Sequence, residues 1–170
     1  MRLKSFRVAP PRRAALCLGV AILAGCGGSS AQNQPDQFVA GKGFSFSVPA
    51  GWQIANGGRS VSATKGGALV QVSSFTLLKP YSGALFAKVE RELRSRVQGL
   101  ATQTGAKLTG TSSAVVGGVR SHSYELTAGK NVDKYTFVLR GLHEFQLLCR
   151  RATSAPDDTC VKLQTSFRLG

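Results

Sequence analysis

His122 is the residue of this sequence whose neighbours come closest to a catalytic set. It lies in the segment SHSYE, where Ser121, Ser123 and Glu125 supply the side chains of a nucleophile relay. Alternation along a strand would place His122 on the opposite side from all three, and no G-x-S-x-G motif is present to display a serine. We therefore predict no catalytic residue here, and an envelope hydrolase with an unrecognised site near His122 stays the alternative.

The second histidine, His143, lies in the segment GLHEF. Glu144 follows it, but the second histidine of an H-E-x-x-H zinc site is missing. We expect both histidines to occupy strand surfaces or hairpins. The sequence predicts no metal site and no cofactor.

The first 25 residues have the pattern of a bacterial lipoprotein signal peptide. Five basic residues and no acidic one precede the apolar run ALCLGVAILA, which at about ten residues is too short to span a membrane. The run ends in Leu23-Ala24-Gly25-Cys26, which resembles the lipobox whose cysteine receives a diacylglycerol. An ordinary secretory signal with a chance cysteine and an uncleaved apolar segment are the alternatives, and Arg12-Arg13 leaves the twin-arginine export route open.

Lipidation at Cys26 would anchor the exported protein without a spanning helix, since two acyl chains give stable membrane attachment. The predicted location is the outer face of the cytoplasmic membrane, or the outer membrane if the cell has one. Residues 26–37 have no apolar periodicity and are predicted to be a flexible tether rich in Gly and Ser. Residues 38–170 are then a single domain.

The charge of the chain restricts its partners. The whole sequence has 22 Lys and Arg against eight Asp and Glu; five of these bases lie in the predicted signal, which leaves a net charge of +9. Anionic lipid, an anionic wall polymer or an acidic protein would be attracted, although a merely solvated basic surface explains the same composition. Export and the absence of nucleic-acid-binding motifs argue against nucleic acid. The domain is expected to be monomeric.

Cys149 and Cys160 remain once Cys17 leaves with the signal and Cys26 takes the lipid. In an oxidising compartment this pair is predicted to form a disulfide that closes a loop of a dozen residues. A zinc site needs more ligands than two cysteines. The nearby Asp157 and Asp158 suit the start of a helix better than a metal site.

The sequence of the first half of the domain predicts strands followed by one long helix. In FSFSVP, Phe44, Phe46 and Val48 alternate with serines, as in a half-buried strand. Trp52 follows the Pro49–Gly51 turn. Further strands are expected at 61–64 and 68–77 around Gly66-Gly67, with Pro80 ending extended structure. An amphipathic helix capped by Ser82 is predicted over 83–102, with the i,i+4 ion pairs Glu90–Arg94 and Glu92–Arg96.

The sequence of the second half of the domain predicts hairpins and a closing helix. Strands at 107–116 and 119–127 flank Gly117-Gly118, and strands at 134–139 and 142–150 flank Arg140-Gly141. Ser154 and Asp157 have capping-box spacing before a final helix that reaches Phe167 and buries Cys160 and Leu163.

This order of elements, from FSFSVPAGW to the closing SFRL, resembles the PsbP-like superfamily, which includes bacterial lipoproteins of the LpqN type. The resemblance implies an α+β fold: an α/β/α sandwich with an antiparallel sheet of about six to seven strands, flanked by one long and one short helix. It also implies a non-enzymatic binding or assembly module that holds a protein, a wall polymer or a small apolar ligand. No binding residue of the family has a motif that matches here.

Overall fold

A computed structural model describes residues 35–170 of the chain. The predicted signal peptide, Cys26 and most of the predicted tether lie outside these residues. The elements follow in the order β1 (Gln37–Gly41), β2 (Phe44–Val48), β3 (Gln53–Gly57), β4 (Ser60–Lys65), β5 (Ala68–Tyr81), a 3₁₀ turn (Gly83–Leu85), α1 (Phe86–Thr104), β6 (Lys107–Val116), β7 (Val119–Ala128), β8 (Asn131–Ala152), α2 (Asp158–Ser166) and β9 (Arg168–Leu169).

The strands form two antiparallel sheets. Six strands pair in the order β3-β4-β5-β8-β7-β6, and three pair in the order β1-β2-β9. Helices α1 and α2 cover opposite faces of the larger sheet, and the smaller sheet packs on the α2 side. The predicted α/β/α arrangement is confirmed, with the strands divided between two sheets. Among residues 35–170, no helix has the length and hydrophobicity that crossing a membrane requires.

The α2-side core contains the aromatic segment at the start of the domain. Phe44, Phe46 and Val48 are all buried, as the alternation in FSFSVP predicts, and Trp52 is buried beyond the turn. Phe44 stacks on Phe167 at 6.3 Å between ring centroids. The aromatic alternation therefore builds the core and is not a ligand-binding face.

The α1-side core lies under the long helix. Leu93, Val97 and Ala101 are the buried positions of its stripe, and they pack with Tyr124 and Phe137 of the sheet. The helix ends at Gly105, whose φ of +67° is the left-handed cap that glycine favours.

Two details at this helix differ from the predictions. Ser82 provides no side-chain cap; its backbone oxygen accepts a hydrogen bond from Leu85 at 2.9 Å. The pair Glu90–Arg94 is present at 3.4 Å, but Arg96 pairs with Glu144 at 2.9 Å and not with Glu92. The predicted partner of Arg96, Glu92, is wrong because Glu144 lies on the sheet beneath the helix. The spacing of residues along the helix does not show a partner on another element.

Strand β8 is the largest departure from the predictions. The predicted hairpin at Arg140-Gly141 is wrong, since one strand of 22 residues runs through it. Gly141 has a φ of +55°, and the alternation inverts there: Phe137 and Leu139 face α1, whereas Phe145 and Leu147 face α2. Gly141 allows a backbone irregularity at which the side chains of the strand change faces. Because such an irregularity and a turn both favour glycine, the two have the same sequence pattern.

Two of the other hairpins lie where the sequence predicts them. The turns at Gly66-Gly67 and Gly117-Gly118 are confirmed. Strands β1 and β3 and the hairpin of β7 with β8 at Gly129-Lys130 were not predicted from the sequence. Extended structure also passes Pro80 and ends at Tyr81, contrary to the prediction.

The closing helix α2 is not capped as predicted, because it begins at Asp158 with Asp157, and not Ser154, in the N-cap position. The side chain of Asp157 makes no capping hydrogen bond; it accepts hydrogen bonds from Lys134 at 2.9 Å and from Arg151 at 3.4 Å. The helix stops at Ser166, and Phe167 leads into β9 while staying buried. Cys160 and Leu163 are buried as predicted.

Candidate functional site

A groove of about 700 Å³ opens where the β1–β2 turn, the β3–β4 turn and the β5–β8 ribbon meet. Its polar lining includes Ser74 and Thr76, and its apolar lining includes Leu142, Phe145 and Leu169. Four basic side chains also line it, and we call it the basic groove: Lys42, Arg59, Arg140 and His143.

Backbone hydrogen bonds hold the separate segments of the basic groove together. The N–H of Ser74 donates to the carbonyl of Arg59 at 2.9 Å, which fixes the β3–β4 turn against β5. The N–H of Gly170 donates to the carbonyl of Gly43 at 3.0 Å and fixes the β1–β2 turn. On the ribbon, His143 pairs with Thr76, and its ring lies 6.0 Å from that of Phe145. The basic side chains are thus carried by turns and a strand that the sheets hold in place.

The cations of the basic groove lack acidic partners. In the part of the chain from 35 to 170, Lys42, Arg59 and Arg140 form no salt bridge, whereas six of the eight acids each pair with a base elsewhere. The two remaining acids, Glu92 and Asp158, do not line the groove. Exposed cations gathered in a concave site without acids create a positive potential that attracts anions.

His122 lies outside the basic groove, beneath the start of α1. It is 3% exposed, so the expected surface position is wrong, and its ring stacks on Phe86 at 3.8 Å between centroids. Its Nε2 lies 3.2 Å from the carbonyl oxygen of Phe86. A carbonyl only accepts, so Nε2 must carry the proton and donate. That nitrogen is therefore not free to act as a base.

The hydroxyls beside His122 lie on the other face of the sheet, as the alternation predicts. Ser121 donates to the carbonyl of Val119 at 2.9 Å. Ser123 exchanges a hydrogen bond with Thr136 at 2.8 Å and accepts one from Gln164 of α2 at 3.2 Å. The structure does not bring the serines and His122 together as a nucleophile and its base.

We expect stability to fall with pH below about 6.5 because of His122. Burial lowers the pKa of His122 from its ordinary 6.5, more than its hydrogen bond to Phe86 and the nearby Glu90 raise it. As the pH falls, the unfolded chain therefore takes up a proton before the folded chain does. The free energy of unfolding decreases between pH 6.5 and the lowered pKa of His122, and above pH 6.5 this group has no effect on it.

Urea unfolding at about pH 8 and about pH 5 measures this effect. The variant His122→Gln, which can still donate to Phe86, should lose less stability between these pH values than the unsubstituted chain. The control His143→Gln removes the exposed histidine and should behave like the unsubstituted chain. An equal loss in all three proteins would show that His122 is not responsible.

Cys149 of β8 and Cys160 of α2 form a disulfide, with their Cα atoms 5.4 Å apart. Both cysteines are buried in the α2-side core. The bond joins the sheet to the buried face of α2. Over residues 35–170, no group of three or more His, Cys, Asp or Glu side chains is arranged to hold a metal ion.

Comparison with solved structures identifies the fold. The solution structure of the cyanobacterial PsbP protein CyanoP from Synechocystis sp. PCC 6803 matches with a TM-score of 0.59 and 15% identity, over 87% of this chain and 99% of that one. A crystal structure from Bacteroides thetaiotaomicron VPI-5482 matches with a TM-score of 0.55 and 11% identity, over 75% of this chain. The match covers 45% of that longer Bacteroides chain.

No protein-family model and no curated protein matches the sequence. Identities of 11% and 15% establish the fold alone. The protein has the PsbP-like fold, a mixed α+β architecture in which residues 35–170 form two helices and antiparallel sheets of six and three strands.

Sequence reasoning missed the basic groove. A faint pattern does exist, because each of its three permanent cations adjoins a glycine: Gly41-Lys42-Gly43, Gly58-Arg59 and Arg140-Gly141. A base next to a glycine at a turn or strand irregularity is exposed. The order of the strands, which brings the two turns and the irregularity of β8 together, cannot be read from that pattern.

Proposed function

We propose that this protein is a membrane-anchored envelope lipoprotein of the LpqN type whose domain binds an anionic partner in the basic groove without catalysis. The observation that carries the proposal is the gathering of Lys42, Arg59 and Arg140, none paired with an acid among residues 35–170, beside hydroxyl groups that can donate to an anion. Arginine is suited to this task because its planar fork matches phosphate and carboxylate oxygens.

Support for the anchored location comes from the sequence. The lipobox-like Leu23–Cys26 follows a short apolar run, and the folded part begins eleven residues after Cys26, at Gln37 of β1. A PsbP-like domain held on a short segment outside the membrane is compatible with a binding module. His122, the histidine with serines next to it in sequence, lies close to a backbone carbonyl and not to their hydroxyls.

Removing the arginines of the basic groove should weaken the binding of a phosphodiester polymer. A fluorescein-labelled poly(glycerol phosphate) chain is the probe, and fluorescence anisotropy gives the affinity. An exposed cation near an anionic array contributes about 1 kcal/mol, so the double variant Arg59→Gln/Arg140→Gln should bind about thirtyfold more weakly. Both side chains are exposed and unpaired in the described part of the chain, so folding should be unaffected.

The matched control removes the same charge elsewhere. Lys88 of α1 and Lys107 of β6 are exposed and form no salt bridge with any residue from 35 to 170. The double variant Lys88→Gln/Lys107→Gln should bind the polymer nearly as well as the unsubstituted protein. Equal weakening in both double variants would mean that the net charge alone attracts the polymer, and the groove would lose its assigned role.

The anchor has a separate test in growing cells. The variant Cys26→Ala should abolish incorporation of a palmitate analogue, because no thiol remains at the lipobox for the acyl glycerol. The protein should then be released or persist as an unprocessed precursor. Labelling that persists in this variant would disprove lipidation at Cys26.

A further inference from the structure

Beside the basic groove, β5 carries an irregularity that exposes a leucine. Thr76 pairs with His143 and Tyr81 pairs with Gly141, so four residues of β5 lie opposite the single residue Leu142 of β8. We call these four residues, 77–80, the β5 bulge. Leu78 in the bulge is fully exposed, at 102%. The side chain has no packing role in the fold, and its apolar surface lies entirely in water.

Leu78 is part of a larger apolar area. Phe75 lines the same hollow as Leu78, and Leu142 lies opposite the β5 bulge; both are also exposed large hydrophobic residues. Neighbouring strand β4 pairs with β5 only as far as Ser73, so it does not cover this end of the ribbon. Isolated exposed leucines are ordinary on protein surfaces, but clustered apolar side chains bordered by polar residues mark interaction surfaces.

Two basic side chains lie near this apolar area. Lys79 lies within the β5 bulge, and Arg140 of the basic groove adjoins Gly141 opposite it. Neither forms a salt bridge within residues 35–170. The nearby acid, Glu144, is buried and paired with Arg96 at 2.9 Å. The charged groups that are exposed at this end of the ribbon are therefore positive, and Thr76 beside them is polar but neutral.

We propose that the β5 bulge inserts Leu78 into the interface of an anionic lipid bilayer while the cations of the basic groove bind lipid phosphates. An apolar tip with a lysine beside it and the basic groove nearby is complementary to this surface, where acyl chains lie just beneath negative headgroups. The phosphate-binding half rests on the proposed function. The insertion of Leu78 rests on the bulge and its exposure.

The reach of the proposed anchor is compatible with this docking. Eleven residues from Cys26 to Gln37 span at most about 38 Å, and β1 then carries the chain about 13 Å from Gln37 to Gly41, beside the groove. Because the segment from Cys26 to Gln37 can be longer than the distance from Gln37 to the groove, a lipid at Cys26 leaves the bulge end of the domain free to contact the same bilayer. Docking through Leu78 would fix which end of the domain faces the membrane.

Vesicle co-sedimentation of a lipid-free chain that begins at Gly27 tests the proposal. This chain keeps every residue of both cores. It should bind vesicles of equimolar phosphatidylglycerol and phosphatidylcholine and should not bind phosphatidylcholine alone. The variant Leu78→Asp should bind the anionic vesicles about tenfold more weakly. The control Val161→Asp alters an exposed valine of α2 and should bind normally.

A second readout follows position 78 itself. Because Cys149 and Cys160 are joined, an environment-sensitive dye on the Leu78→Cys variant would occupy the single free thiol of this chain. Its emission should shift to shorter wavelength with anionic vesicles. An unshifted emission, or equal vesicle binding by Leu78→Asp and the unsubstituted chain, would overturn the insertion.

The polymer probe separates the two proposals. If Leu78→Asp loses vesicle binding but still binds poly(glycerol phosphate), the bulge inserts and the groove binds phosphodiesters, as proposed. If the unsubstituted chain binds the polymer but no vesicle, the groove serves a soluble anionic polymer and the membrane docking is wrong. If vesicles bind through Leu78 but Arg59→Gln/Arg140→Gln changes neither interaction, insertion stands and the role of the groove fails.

Discussion

Replacing Phe46 with alanine is expected to destabilise the domain by about 3–5 kcal/mol, because the ring lies at the centre of the α2-side core. Phe46 is 0% exposed and stacks on Phe44 at 6.3 Å between ring centroids. Its removal leaves a cavity between the two sheets that neighbouring rings cannot fill without moving. Urea or thermal unfolding of the two proteins gives the difference in the free energy of unfolding.

Phe38 of the adjacent strand β1 provides a matched control. It has the same side chain in the same three-stranded sheet but is 71% exposed. The variant Phe38→Ala should lose no more than about 0.5 kcal/mol, as surface substitutions commonly do. Similar losses in the two variants would contradict the assignment of Phe46 and its alternating partners to the core.

Removing the disulfide is expected to cost about 3 kcal/mol, the second large effect. The bond joins residues eleven positions apart, and a loop of that size restricts the unfolded chain by about this amount in the loop-entropy model. The double variant Cys149→Ala/Cys160→Ala should unfold at lower urea concentration than the oxidised protein, and added reductant should not change its midpoint.

Reductant acting on the unsubstituted chain is the internal control for this prediction. It should lower the midpoint toward that of the double variant, since both treatments remove the same covalent link. A titration of thiols in the unfolded, unreduced chain beginning at Gly27 should find none. Two titratable thiols, or a midpoint that ignores reductant, would contradict the bond between β8 and α2.

Patterns that depend on neighbours along the chain predicted structure well. The alternation at Phe44, Phe46 and Val48 and the stripe of α1 identified buried faces, because burial of a strand or helix repeats with the period of its backbone. Of the two strands that flank Gly117-Gly118, β6 has the predicted bounds and β7 ends one residue beyond its predicted end. These features need no knowledge of which elements meet in space.

Features that depend on contacts distant in sequence were wrong or missed. Arg140-Gly141 has the residues of a turn, but β8 continues because β5 and β7 pair with its two halves and hold it extended. Asp157 was assigned to a cap, yet Lys134 of β8 lies close enough to attract its carboxylate. In both cases tertiary contacts outweighed a local preference.

The basic groove shows the same limit for the site. Lys42, Arg59 and Arg140 are separated by 17 and 81 positions along the chain, and each alone is an ordinary exposed base. They become one site because the β3–β4 turn hydrogen-bonds to β5 and the smaller sheet packs against the larger. A net charge of +9 for the predicted mature chain predicts attraction to anions but gives no position for it.

The position of anion binding is the central claim, and amide chemical-shift mapping by NMR tests it most directly. Poly(glycerol phosphate) would be titrated into the lipid-free chain beginning at Gly27, with assigned backbone resonances. The largest shifts should occur at Lys42, Gly43, Arg59 and 140–143, with little change at Lys88 and Lys107. Shifts spread over all exposed bases, or largest at Lys88 and Lys107, would contradict a binding site in the basic groove.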